Sequence, residues 1–261
     1  MVAAALPGMR RVEHAMGMPI VVDVRDERAD ATLLDAAFAE FRAVDARFST
    51  YKDDSEISRI NRGELAIADA HPDVRFILAR CDELRAETQG FFDVRAACSS
   101  VVDPSGLVKG WSVDRVAAIL AERGARNFAV SAGGDVIARG RGVPDECWRV
   151  GIQHPTINDR IAKVVVAGDL AIATSGAYAR GDHVIDPHTR RPPSGVLSVT
   201  ITGPELAIAD AFATAAFAMG TNGPAWTARL RGYEAMTILA DGRVLSTPNF
   251  PAEQTRRDTE E

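Results

Sequence analysis

Apolar residues recur every three or four positions in four stretches of the chain. Leu34, Phe38 and Phe41, with Ala31 and Val44 beside them, form one stripe and predict a helix over residues 30–47. Val74, Ile77, Cys81, Leu84 and Thr88 predict a second, stopped by Gly90. Val113, Val116, Ile119 and Leu120 predict a third over residues 112–123, with Gly124 placed to end it. An alanine-rich fourth helix is expected over 205–219, closing at Gly220. Between the third and fourth the pattern changes. NFAVSA, DVIARG, CWRVGIQ, AKVVVAG, DLAIATSG and VLSVTIT are short apolar runs punctuated by glycine, as strands joined by turns require. IVVDV at 20–24 adds an earlier strand, and MTILA-DG-RVLST predicts a hairpin with a type I′ turn at Asp241-Gly242. The polar segment at 48–64 reads as a loop. Helices come first, strands cluster later and one helix returns, which favours an α+β fold over regular α/β alternation. With no internal repeat, the expectation is one compact, two-lobed domain over residues 1–250 and a charged, frayed tail over 251–261.

Composition narrows the function classes. Hydrophobic residues make up 46% and charged residues 25%, ordinary for a soluble enzyme, and the net charge of −6 argues against broad nucleic-acid binding. Cys81, Cys98 and Cys147 form no CxxC pair, so neither a zinc site nor a disulfide framework is expected. No run approaches the ~20 apolar residues of a membrane span. The apolar start carries Arg10 and Arg11 after rather than before it, the wrong order for a signal peptide, so the expected location is cytoplasmic.

Four segments hold more glycine, aspartate and hydroxyl than packing requires. In VDPSGLVKGWSVD a glycine-containing loop runs into a helix with Lys109 at the junction. Such a helix start favours an anion, and a capped helix with a surface lysine is the plainer alternative. SAGGD offers adjacent glycines for close ligand approach or for a hairpin turn. ATSGAYARGDHVIDP gathers Thr174, Ser175, His183 and Asp186, and the titration range of His183 suits a general base. IADAFATAAFAMG places Asp210 and Thr214 four apart, on one face of an otherwise apolar helix. A carboxylate there is costly unless its charge is compensated, which a divalent cation with Thr214 as a second hard ligand would do. The alternative is a solvent-facing aspartate and a core threonine.

The ordered set HAMGMPI, FSTYKDDSEISRIN, GFFDV, VDPSGLVKGWSVDR, SAGGDV, WRVGI, IATSGAY, HVIDPHTRRP and ADAFATAAFAMG resembles the ApbE-type FAD:protein FMN transferases from about Met16 to Gly220. The resemblance implies an α+β domain with two mixed sheet regions that binds FAD and Mg²⁺. It implies attack by a Ser/Thr hydroxyl of an acceptor protein on the FMN-side phosphorus, with release of AMP. It implies a metal held by the side chains of Asp210 and Thr214 and the Gly106 carbonyl. FAD contacts are implied for Met16, Tyr51, Phe92, Asp93, Asp103 and Lys109, with His183 beside the pyrophosphate as candidate base and Asp210 as the catalytic metal ligand. A magnesium-dependent FAD pyrophosphatase and a non-catalytic flavin carrier are the competing readings. Two departures stand out: a short stretch between FFDV and VDPSG, and Arg190 where the family's HxIDPxTGRP pattern has glycine.

Overall fold

A computed structural model of the chain describes residues 8–95, 101–143, 146–157, 159–176 and 184–253. Cys98 and His183 lie outside the described residues. Strands β1 (Met9–Ala15) and β2 (Met18–Val24) form a hairpin, followed by helices α1 (Ala31–Phe48), α2 (Glu56–Asn61), α3 (Pro72–Glu87) and α4 (Ser105–Glu122). Next come β3 (Phe128–Ala132), β4 (Asp135–Arg139), β5 (Arg141–Val143), β6 (Glu146–Gln153), β7 (Ile161–Ala167), β8 (Leu170–Gly176) and β9 (Val196–Gly203). Helices α5 (Leu206–Ala218) and α6 (Gly223–Thr227) and the hairpin β10 (Glu234–Leu239) and β11 (Val244–Ser246) complete the chain.

Eight strands pair in the order β1-β2-β3-β4-β8-β9-β10-β11, and β5-β6-β7 form a second sheet. The α+β expectation holds. Among the described residues every strand pair is antiparallel, so the sheets as described are not mixed.

Alternation along the strands sends side chains to two cores. Ile137, Ala171 and Ala173 join Phe38, Phe41, Val113, Ala209 and Ala213 in a large core under the helices. Their neighbours Ala138 and Ile172 turn the other way, to Ile152, Val165, Ala167, Met236 and Ile238, where the small sheet covers the large one. β9 is therefore buried on both faces, with Val199 and Ile201 turned to the large core and the small hydroxyl residues Ser198, Thr200 and Thr202 buried on the opposite side.

Four expectations are corrected. The polar segment at 48–64 contains α2, capped by the Ser55 hydroxyl, which accepts from the Ser58 N–H. Six residues carrying one buried apolar side chain, Ile57, leave too little periodicity to read. α4 starts at Ser105, so VDPSGLVKG is mostly helix rather than loop. Gly106 and Gly110 lower helix propensity, yet they serve packing: a Cβ at Gly110 would come within 2.6 Å of the Leu206 carbonyl oxygen. At the last hairpin Gly242 has φ +86° while Asp241 does not have positive φ. Leu239 N–H donates to Arg243 and Gly242 N–H to Leu239, which makes a three-residue loop with glycine at the left-handed position instead of a type I′ turn. Finally, residues 251–253 are not frayed. Pro251 accepts from Val166 N–H, Glu253 N–H donates to Val164, and Phe250 packs on the second core.

Candidate functional site

The site is organised by the crossing of α4 and α5. Gly110 lets the two backbones touch, and Asp114, one turn further along α4, accepts from the N–H groups of Leu206 and Ala207 at 2.9 and 2.8 Å. Asp114 thereby satisfies the free N–H groups at the start of α5 from outside that helix. This sets the register of α5 against α4, and with it the approach of Asp210 to Lys109.

Lys109 lies inside α4, so the reading of a lysine at a loop–helix junction is corrected. Its ammonium reaches Asp135 Oδ2 at 2.6 Å and Asp210 Oδ1 at 3.3 Å. Both carboxylates are buried, at 1% and 3% exposure. Asp135 follows the Gly133-Gly134 turn, whose residues have φ +59° and +96°, so the glycines of SAGGD serve a tight hairpin. The Asp135 Oδ1 accepts from Thr174 N–H of β8 at 3.0 Å. Thr214, one turn beyond Asp210 on α5, meets the Ser175 hydroxyl at 3.3 Å. Asp210 Oδ2 is buried without a hydrogen-bond partner.

Two carboxylates against one ammonium leave this buried cluster with an excess negative charge. Burial opposes the Lys109 charge, but Asp210 and Asp135 outweigh it and hold the lysine pKa above its ordinary value. Burial likewise pushes the Asp210 carboxyl up, with Lys109 pulling it back only in part and Asp135 adding to the rise. Both directions reflect one deficit of positive charge. An orphaned, buried carboxylate oxygen next to a threonine hydroxyl fits a hard divalent cation. Among the described residues no three His, Cys, Asp or Glu side chains cluster as a metal site.

The other expected contact residues lie on separate turns and helix ends. Met16 sits at φ +54° in the two-residue turn between β1 and β2, unusual for a side chain of its size. Tyr51 follows α1 and is 97% exposed, a free aromatic surface. Asp93 accepts from Arg85 Nε at 3.0 Å and from Arg95 N–H at 2.9 Å. Asp103 accepts from Ser105 N–H at 3.0 Å at the start of α4, and its own N–H donates to Val94. Phe92 is 3% exposed, and its ring packs beside Gly106, where it supports α4.

Motifs distant in sequence are tied together here. Asn61 of the SRIN motif exchanges two hydrogen bonds with the Val102 backbone, at 3.0 and 2.8 Å. His188 lies edge-on to Phe91 at 4.5 Å between ring centroids and bonds to the Gln89 carbonyl at 3.1 Å. Arg190 has φ +56°, the left-handed conformation that favours glycine. Asp135 was missed as a site residue. Its only sequence signal was an aspartate heading an apolar strand directly after two glycines.

The sequence profile of the ApbE family matches residues 16–99 and 95–237. The chain belongs to the ApbE family. A Vibrio cholerae relative named FAD:protein FMN transferase is 38% identical over 129 residues, 46% of this chain and 39% of that protein. A Haemophilus influenzae protein of the same name is 27% identical over 245 residues, covering 70% of this chain and 71% of its own length. Matches to the Vibrio cholerae and Salmonella typhimurium relatives span 39% and 47% of those proteins, less than half of each. Two solved structures share the fold of this ApbE-family chain. The flavin transferase ApbE from Vibrio cholerae superposes with TM-score 0.83 at 24% identity, covering 93% of this chain and 97% of that one. The ApbE protein from Thermotoga maritima gives 0.84 at 21% identity, covering 94% and 99%.

Proposed function

We propose that this ApbE-family chain is a Mg²⁺-dependent FAD:protein FMN transferase. The observation that carries the reading is the unpartnered Asp210 Oδ2, buried beside Lys109 and one helical turn from Thr214. Membership of the family and the names of its relatives supply the reaction.

In this reading Asp210, Thr214 and the Gly106 carbonyl hold the cation. When bound, it offsets the negative charge of the FAD pyrophosphate, which otherwise repels a nucleophile. Lys109 stays protonated between its two carboxylates and directs a fixed positive charge toward the phosphates. Tyr51 offers a flat face to a ring of FAD. An acceptor Ser/Thr oxygen forms a new bond to the FMN-side phosphorus as the anhydride P–O bond breaks, and AMP departs with the bonding electrons. The acceptor hydroxyl loses its proton to a base, the role the HVIDPHTRRP motif gives to His183.

The test is incubation with FAD, Mg²⁺ and an acceptor protein carrying a flavinylation-type Ser/Thr segment, followed by in-gel flavin fluorescence and AMP release. Transfer gives one covalent flavin per AMP. AMP without covalent flavin identifies a pyrophosphatase, and intact FAD a carrier. Asp210→Asn is expected to lower FAD cleavage by at least about a hundredfold while the chain stays folded. Full activity in that variant rules out the metal role of Asp210.

A further inference from the structure

Asp135 is absent from the metal and FAD contacts implied by the family resemblance, yet it holds the shorter of the two Lys109 contacts, 2.6 Å against 3.3 Å for Asp210. Its position is rigid. It starts β4 directly after a two-glycine turn, pairs in register with Ala132, and anchors its other oxygen on the Thr174 backbone of the neighbouring strand. Lys109 sits between a carboxylate fixed to the sheet and one carried by α5.

That arrangement bears on the cation. A lysine ammonium is itself a cation able to neutralise Asp210, and in a low-dielectric interior the two would compete for one carboxylate. We infer that Asp135 is a positioning residue that draws the Lys109 ammonium away from Asp210, keeping Asp210 Oδ2 open for the divalent ion. Lys109 is thereby retained as a positive charge without replacing the metal. The inference rests on the reading of Asp210 as a metal ligand.

The experiment is Mn²⁺ titration of the full chain, with and without FAD, following the electron paramagnetic resonance signal of free Mn²⁺. Asp135→Asn keeps an acceptor for the Thr174 N–H but removes the charge that holds Lys109. Its Mn²⁺ affinity is expected to fall at least about tenfold, because Lys109 then pairs with Asp210 alone. The deciding measurement is the same substitution in a Lys109→Met background. If Lys109 is the competitor, Asp135→Asn there costs less than about threefold, since no ammonium is left to move. An equal loss in both backgrounds makes Asp135 a source of bulk negative charge only and overturns the inference. Unchanged affinity in Asp135→Asn alone also overturns it. A wild-type chain that binds no Mn²⁺ under either condition overturns the metal reading itself, and this inference with it. Asp135→Glu, which restores the charge, is expected to recover most of the affinity; failure to do so in a folded variant counts against charge-based positioning. Circular dichroism melting of each variant separates loss of binding from loss of fold.

Discussion

Single side chains in this molecule divide into those that order the site and those free to meet a ligand. Tyr51 is of the second kind, with 97% of its surface exposed. Tyr51→Ala should leave unfolding within about 0.5 kcal/mol of wild type, as surface substitutions do. It should weaken FAD binding roughly tenfold, the size of one lost aromatic stacking contact. Fluorescence titration with FAD and a urea melt check the pair, and a change in stability without a change in affinity would reverse the assignment. Asp114 is of the first kind. Burial raises its pKa from 3.8 to about 6, against the pull of the two backbone N–H groups it caps. The folded chain therefore holds this proton more tightly than the unfolded chain. Asp114's contribution to stability is undiminished below about pH 4 and falls as pH rises to about 6, a cost on the order of 3 kcal/mol at neutral pH. Asp114→Asn removes that titration. Its stability relative to wild type should rise by about 1–3 kcal/mol between about pH 4 and about pH 7 in urea unfolding. A difference that does not change with pH would show that Asp114 is not strained by burial.

At the scale of elements, α4 and α5 decide the chemistry. Asp210 and Thr214 were legible as a pair because helical spacing alone stacks them. Lys109 was legible only as a charged residue near a helix start. Its actual partners come from α5 and from β4, about a hundred and about thirty residues further along the chain. No local pattern announces a contact at that separation. The glycines of α4 misled for a physical reason. Gly106 and Gly110 look like loop residues because they cost helix stability, yet Gly110 is what allows α5 to approach. The strands were easier. Each predicted run between residues 127 and 202 is a strand, because short β-branched runs between glycines leave few alternatives.

For the whole molecule, the central strands β4, β8, β9 and β10 of the large sheet are covered on both faces, by helices on one side and by the small sheet on the other. Phe250 and the short 251–253 segment close the second core against β7. Phe250→Ala is expected to cost about 1–3 kcal/mol, less than a fully buried phenylalanine, because its ring is only partly covered. FAD cleavage should stay within about twofold of wild type, since that core is separate from the α4–α5 crossing. Equilibrium unfolding and an AMP-release assay check both halves, and a large loss of cleavage in a stable variant would show that the two cores are coupled. Among the described residues no helix is long and apolar enough to cross a membrane.

The sequence by itself determined the α+β class, most helices and strands, and the Asp210–Thr214 pair, because periodicity and short spacings are properties of neighbours along the chain. The ordered motifs likewise sufficed to relate the chain to its family. Only the tertiary structure decided that Lys109 is shared between Asp135 and Asp210, that Phe92 supports α4 from within the core, and that residues 251–253 dock on β7. Those outcomes depend on which distant segments meet and how much charge they bury together. The excess negative charge at the α4–α5 crossing exists only once the chain has folded.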